Sequence, residues 1–180
     1  LPVSSTFAKT PDGIPYILNR YAVLKTDAKK GAVSFQIQPS SDLLVPPITD
    51  LNSNDLLLLV QMQGAEINIP TDINSDTYGS IKNLHGAGVY ELVTVASYAK
   101  DGQGGGTVTI TSNSSGLGNC NGLEHDYSSA AHTQIVLVPQ SRTLTVEAGK
   151  NLTAPSWNGE AGGIVALRTE SLTVDGTIST

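Results

Sequence analysis

The alternation of apolar and polar residues predicts β-strands along most of the chain, and no stretch sustains the period of an amphipathic helix. Residues 31–38 alternate clearly, and residues 107–111 repeat the same pattern. One face of the first segment carries Val33, Phe35 and Ile37, and the other carries Ser34, Gln36 and Gln38. Residues 55–63 form a continuous apolar run that ends polar, which is typical of a strand buried on both faces. Further strands are predicted over 14–24 and 89–98.

Two long segments without strand signals, residues 67–88 and 112–133, are the expected interaction surfaces. Connections longer than about 15 residues in a compact domain are usually functional or contain a short structured element. A glycine-rich turn over residues 101–106 is expected to join two strands, because glycine adopts positive φ without steric penalty.

Beyond residue 133 short apolar segments recur between Gly, Asn, Asp and Pro turns, as in the rungs of a β-solenoid. We therefore predict an all-β chain that forms the N-terminal cap and first rungs of a right-handed parallel β-helix. The alternative is a β-sandwich, which would give a similar pattern. Residues 1–180 are expected to be a single β-rich domain, with candidate rungs over 134–180. Because the pattern stops at an uncapped strand–turn–strand segment, we expect a fragment of a longer surface protein.

The composition favours an extracellular protein and argues against a nucleic-acid partner. Only 14% of the residues are charged, against about 25% in ordinary soluble domains. The net charge is −6, and the nearest approach to a basic cluster is Lys25, Lys29 and Lys30. The longest apolar run, residues 56–60, is too short to span a bilayer, which needs about 20 residues. The chain starts without Met, so we expect that a signal peptide was removed.

Asp72, Asn74 and Asp76 have the spacing that opens a calcium-binding EF-hand loop. The rest of that loop is absent, because Thr77 replaces the required glycine and Asn83 replaces the closing glutamate. A calcium site of another type, with Asp50 or Asp55 contributing, is one interpretation. The other is a turn in which the Asp and Asn side chains bond their own backbone.

The single cysteine, Cys120, excludes an intrachain disulfide and lies within thirteen residues of His125, Asp126 and His132. Zinc ligands usually come as tight pairs, and no second pair follows Cys120 and His125. The favoured interpretation is an exposed polar loop, and the role of Cys120 stays open.

Trp157 and Tyr78 are the candidate ligand-binding aromatics, because aromatic rings stack on sugar rings, although packing roles are the alternative. We find no nucleophile, metalloprotease or phosphate-binding motif, and no carboxylate pair indicates a glycosidase acid and base. The chain is therefore expected not to be an enzyme.

Two regions resemble large bacterial surface and secreted proteins, some of them gliding-motility or adhesin-like. Residues 53–65, Ser-Asn-Asp-Leu-Leu-Leu-Leu-Val-Gln-Met-Gln-Gly-Ala, are similar to a segment in which a Gly-Asp turn leads into an apolar strand and then Gln-Met-Gln-Gly-Ala. Here Asn54 stands where glycine is usual. Trp157-Asn158-Gly159, then residues 162–167 and 174–179, resemble the following part, which a glycine-rich, β-helix-like stretch continues. The resemblance implies a place outside the cell and a scaffold or adhesive role, without catalytic residues.

These observations predict a non-catalytic, secreted or cell-surface module that caps and starts a β-helical stalk and mediates attachment. Its expected partners are the downstream β-helix of the same chain and a protein or glycan surface ligand. The alternative is a calcium-assisted carbohydrate-binding domain. A polysaccharide-active enzyme and a two-partner-secretion signal domain rank below both.

Overall fold

The computed structural model describes residues 15–113 and 122–180, which contain thirteen strands and no helix. The predicted all-β class is therefore confirmed. The strands are β1 (Tyr16–Ile17), β2 (Arg20–Leu24), β3 (Ser34–Gln38), β4 (Leu56–Gln61), β5 (Glu66–Ile67), β6 (Ile81–Asn83), β7 (Tyr90–Lys100), β8 (Gly106–Asn113), β9 (Thr133–Val138), β10 (Gln140–Val146), β11 (Asn151–Thr153), β12 (Arg168–Val174) and β13 (Thr177–Ser179).

Six of these strands close into a barrel in the order β2-β3-β8-β7-β4-β9, and each is antiparallel to both of its neighbours. The prediction of a parallel β-helix is wrong for this main part of the chain, and one closed sheet also replaces the two facing sheets of a sandwich. The physical reason lies in the connections. A short turn such as residues 101–105 can join antiparallel strands, whereas parallel strands need a long crossover. Two register shifts in the pairing of β7 with β8 are of the kind that bends a strand and helps a sheet to close.

The barrel interior is filled by apolar side chains, as expected for a small barrel. Alternation predicted this correctly in β3 and β8, where the inward residues are at most 6% exposed: Phe35, Ile37, Val108 and Ile110. Val33 precedes β3 and is 51% exposed, so its predicted inward position is wrong. β4 is buried or half-buried along its whole length, which confirms the prediction of a strand covered on both faces. Asn54, in the turn before it, has φ of +73°, a conformation that Asn tolerates better than most residues.

The C-terminal strands lie outside the barrel and pair in parallel. β10 pairs with β12, while β11 lies between β1 and β13 in a three-stranded sheet. Gln140 pairs with Arg168, 28 residues later, and Asn151 pairs with Thr177, 26 residues later. The first of the candidate rung segments, β9, belongs to the barrel instead.

Residues 161–167 cross the outer surface of the barrel without forming a strand, and we call them the strap. Backbone groups of alternate strap residues bond to buried side chains: Gly162 to Gln134, Ile164 to Tyr21 and Ala166 to Asn19. Beneath the strap a second apolar cluster forms between the barrel and residues around Val45 and Ala161. The strap therefore covers an apolar outer face that would otherwise meet water.

Two of these side chains act as amide clamps. Gln134 is fully buried, and its Oε1 accepts the N–H of Gly162 at 3.0 Å while its Nε2 donates to the carbonyl of the same residue at 3.2 Å. Asn19 makes the same kind of pair with Ala166, at 3.0 and 2.6 Å. Each amide takes the place of a neighbouring strand, so the strap needs no sheet partner to satisfy these buried groups.

Tyr21 is the third side chain that holds the strap. Its hydroxyl donates to the carbonyl of Ile164 at 2.6 Å, and burial raises the pKa of Tyr21 to about 12. The phenol is consequently protonated, and able to donate, across the neutral pH range.

Candidate functional site

A long hairpin extends from the barrel between β4 and β7. We call residues 63–88 the arm; it contains β5 and β6, which among the described residues pair only with each other. β4 and β7 pair directly from Leu56 with Thr94 to Val60 with Tyr90. The arm therefore leaves and re-enters the barrel at adjacent points and lies outside its closed sheet.

The base of the arm is fixed by the buried side chain of Gln61. Its Nε2 donates to the carbonyl of Gln63 at 3.0 Å and to that of His85 at 2.8 Å. Its Oε1 accepts the N–H of Ser128 at 3.0 Å. One amide thus joins both legs of the arm to the loop that precedes β9.

Two glycines allow the arm to approach this amide closely. Gly64 and Gly86 have φ of +123° and +82°, and a Cβ on either would lie 3.1 Å from Nε2 of Gln61. A side chain at either position would therefore crowd the amide and strain the backbone.

The calcium candidates Asp72, Asn74 and Asp76 lie together at the exposed tip of the arm. Oδ1 of Asp72 accepts the N–H of Asn74 at 2.9 Å, and its carbonyl accepts the N–H of Ser75 at 3.1 Å. This is the geometry of the side-chain-to-backbone turn that was the alternative interpretation. Among residues 15–113 and 122–180, no three His, Cys, Asp or Glu side chains group as metal ligands. The calcium site stays a prediction.

The two further carboxylates considered for calcium are engaged elsewhere. Asp50 Oδ2 lies 3.0 Å from Lys100 Nζ, and Asp55 Oδ2 accepts the N–H of Asn52 at 2.8 Å. Each therefore has a local bonding role near the barrel.

The two candidate aromatics lie on different elements. Tyr78 is at the tip of the arm and is 49% exposed. Trp157 is half-buried in the loop before the strap, where Gly163 packs against it. Asn158 binds that loop together, since its Oδ1 accepts the N–H groups of Glu160 and Ala161. Their binding roles stay predictions.

The predicted polar cluster around Cys120 is seen only in part, because Cys120 lies outside the described residues. His125 is exposed. Asp126 bonds the loop after β2, where its Oδ1 accepts the N–H of Lys30 at 2.8 Å. Its other oxygen lies 3.9 Å from Nζ of Lys29. These contacts give Asp126 a role in joining two loops.

A cleft of about 280 Å³ lies between the barrel and the loop before the strap. Its lining combines Val23, Leu24, Lys25, Gln38, Ser129, Ala130, His132 and Glu160. A glycosidase acid and base require two carboxylates, and the lining of this cleft includes one carboxylate, Glu160. Hydrogen bonds from the backbone and side chain of Ser41 hold the pKa of Glu160 below its usual range. A glycosidase acid needs the opposite shift.

The last two strands, β12 and β13, have an open apolar side. Leu172 and Val174 are 45% and 44% exposed, whereas their register partners Leu144 and Val146 are 3% and 6% exposed. The same difference separates Ile178, at 36%, from Leu152, at 3%. Register partners are thus buried in β10 and β11 and exposed in β12 and β13.

Sequence reasoning missed the residues that organise these surfaces, namely Gln61, Gln134, Asn19 and Tyr21. A usable signal existed for the two glutamines, because Gln61 ends and Gln134 nearly begins an apolar strand in which a long polar side chain has to find buried partners. Asn19 and Tyr21 gave no such signal.

Comparison with known proteins gives no relative from which a function could be inferred. No protein-family model matches the chain, and no curated protein sequence matches it. Within the two described ranges, no helix is long and apolar enough to cross a membrane.

Proposed function

We propose that this protein is a non-catalytic, extracellular surface module that caps and starts a β-helical stalk and mediates attachment. The proposal takes β10 and β11 as the first rung of the stalk and β12 and β13 as the second, and the observation that carries it is the difference in burial between their register partners. A position that is 3% exposed in the first rung and 45% exposed in the second is what a stack that continues in one direction would give.

The barrel is suited to be the cap. Its six strands leave no free edge within the closed sheet, so it offers no strand for unwanted pairing. β1, which precedes the barrel in the chain, covers one edge of β11. The opposite edge of β11 pairs with β13, whose own far edge is free among the described residues. In this sheet, growth at one edge only is the property required of an N-terminal cap.

The spacing of the rungs predicts where the next one begins. With offsets of 28 and 26 residues in the two sheets, the next partners of Leu172 and Ile178 are expected after a similar interval. Their side chains would cover the apolar surface that the second rung exposes. The low proportion of charged residues supports a place outside the cell. Protease added to intact cells would test this, because it can cleave the exposed arm only if the protein lies at the cell surface.

The stalk proposal is tested with a matched pair of substitutions, Leu144→Ala and Leu172→Ala. In the 180-residue chain Leu144→Ala should lower the free energy of unfolding by about 2–4 kcal/mol, because truncating a buried leucine loses transfer energy and leaves a cavity. Leu172→Ala should lower it by less than about 1 kcal/mol, because that side chain is already partly solvated.

The same pair is then measured in a longer chain that continues with the residues encoded after Thr180 in the gene. Leu172→Ala should now be about as destabilising as Leu144→Ala, since a third rung covers Leu172. The proposal is overturned if the gene encodes no further residues, if the added residues lack an apolar period of about 26–28 residues, or if Leu172→Ala stays mild.

Calcium-assisted carbohydrate binding is the second candidate function. It is favoured by an exposed aromatic, Tyr78, beside the Asp72, Asn74 and Asp76 group at the tip of the arm. Glycan-array binding that chelator abolishes and Tyr78→Ala removes would support it. Tyr90→Ala is the matched control, because Tyr90 is 66% exposed but begins β7 at the base of the arm. Equal loss in both variants, or no binding with calcium present, would refute it.

A further inference from the structure

The arm is a two-stranded ribbon with one apolar and one charged face. Ile67 and Ile81 are direct cross-strand partners, so their side chains lie on the same face. Glu66 precedes Ile67 on β5 and pairs in register with Asn83, because the pairing shifts by one residue between Glu66 and Ile67, and its carboxylate forms an ion pair with Lys82. Successive residues of a strand point to opposite faces, so Glu66 lies on the face opposite Ile67, and its ion pair brings the Lys82 ammonium to that face. Backbone pairing continues past β5 at Asn68, so by the same alternation Ile69, two residues after Ile67, falls on the apolar face.

The apolar face is uncovered within the described residues. Ile67, Ile69 and Ile81 are 43%, 77% and 60% exposed, and none belongs to the three apolar clusters that pack the chain. Ile73, at the tip, is 73% exposed. Exposed apolar residues scattered singly are ordinary, but several on one face of one element indicate an interaction surface.

The arm is held in place before any partner arrives. The Gln61 amide joins both of its legs, and the backbone ladder continues beyond β5, where Asn68 N–H donates to the carbonyl of Ser80 and Gly79 N–H donates to the carbonyl of Asn68. A surface that is already ordered loses little conformational entropy on binding.

The charges on the arm and the shape of its apolar side chains favour a protein partner over a membrane or a glycan. The arm carries three carboxylates, Glu66, Asp72 and Asp76, against one lysine, Lys82. Asp72 and Asp76 have no cationic partner among the described residues, so an anionic membrane surface would repel the arm. Branched aliphatic side chains also lack the flat face on which a sugar ring stacks.

We infer that the apolar face of the arm docks a protein partner that presents an apolar surface flanked by lysine or arginine. The inference rests on the attachment part of the proposed function and names the surface that performs it. Apolar contact supplies the affinity at the centre of such an interface, and complementary charge at its rim supplies orientation and rate.

The test uses the full 180-residue chain as bait for a displayed library of random peptides. Enriched peptides should combine aliphatic or aromatic residues with lysine or arginine, and their affinity should fall as salt is raised. Ile69→Thr and Ile81→Thr should each weaken binding about tenfold or more, as expected for central interface residues. Val33→Thr is the matched control, since it makes a similar change at a β-branched residue that is 51% exposed outside the arm.

Three results would overturn the inference: no enrichment over bait-free selection, equal weakening by Val33→Thr, or arm-dependent binding to phosphatidylcholine–phosphatidylglycerol vesicles or to glycans instead of peptides. All variants are first checked for unchanged unfolding midpoints, which is expected because the substituted side chains are exposed. Failure here leaves the stalk proposal untouched, because that proposal is read from the stability of Leu144→Ala and Leu172→Ala.

Discussion

Replacing Gln134 with methionine tests whether the strap depends on its amide clamps. Methionine has nearly the length and volume of glutamine but cannot bond to Gly162. The substitution removes two hydrogen bonds, at 3.0 and 3.2 Å, and leaves the N–H and the carbonyl of a buried glycine without partners. A buried group that loses its partner costs about 1–3 kcal/mol.

For the two backbone groups, less the gain from burying an apolar side chain in place of an amide, we expect a net loss of about 2–4 kcal/mol in the free energy of unfolding. In a chain of this size each kcal/mol lowers Tm by roughly 2–4 °C. Gln36→Met is the control, because Gln36 is exposed on β3, and its effect should lie within about 0.5 kcal/mol of zero.

Urea unfolding followed by two signals is the assay. Trp157 is the single tryptophan and lies just before the strap, so its fluorescence reports on that region, while far-UV circular dichroism reports on the whole fold. In Gln134→Met the fluorescence transition should move to lower urea at least as far as the dichroism transition does. A stability within about 0.5 kcal/mol of the unsubstituted chain would refute the role assigned to the clamp.

Three further predictions concern the other polar contacts. Because the pKa of Tyr21 is raised to about 12, its contribution to stability is complete below the unfolded-state pKa near 10 and is lost as pH rises from there. In Tyr21→Phe the free energy of unfolding should therefore fall less on going to alkaline pH, by about 2–3 kcal/mol at most. Unfolding measured across this pH range is the test. Glu160 has a lowered pKa, so its stabilising effect is present above the ordinary glutamate pKa and is lost as pH falls through the lower pKa of the folded state. The thermal midpoint of Glu160→Gln should therefore decline less on acidification than that of the unsubstituted chain. A decline of equal size would contradict the stabilising hydrogen bonds from Ser41. Gln61→Leu should lower stability by about 2–4 kcal/mol, because it strands the Ser128 N–H and two carbonyls, and should speed amide exchange in the arm more than in the barrel strands.

The sequence predicted individual strands better than it predicted how they assemble. Phe35 and Ile37 in β3 and the apolar run of β4 were recognisable because alternation directly reflects which face is covered. The barrel order was not recognisable, since β2 pairs with β9 more than a hundred residues later and nothing local specifies that partner. β10 pairs in parallel with β12, and β11 with β13, as expected for short strands that stack after residue 133, although residues 164–167 form no strand.

The candidate sites show the same division. The local spacing of Asp72, Asn74 and Asp76 singled out the segment that forms the tip of the arm, and their calcium role stays a prediction, whereas the apolar face of the arm depends on which residues pair across the ribbon. The clamp between Gln134 and Gly162 depends on contacts 28 residues apart, and that between Asn19 and Ala166 on contacts 147 residues apart. Local sequence patterns do not predict contacts between residues so far apart in the chain.

The position of the arm between two strands that already pair has a consequence for how the protein can vary. Since β4 and β7 are hydrogen-bonded up to Val60 and Tyr90, closing the barrel requires only that a turn connect them, and lengthening a connection adds little entropic penalty. The arm can therefore be exchanged, shortened or replaced by an unrelated hairpin while the barrel persists, provided that the three groups now bonded to Gln61 keep partners. The fold thus separates a barrel of fixed geometry from a hairpin whose length and sequence can change while the barrel stays the same.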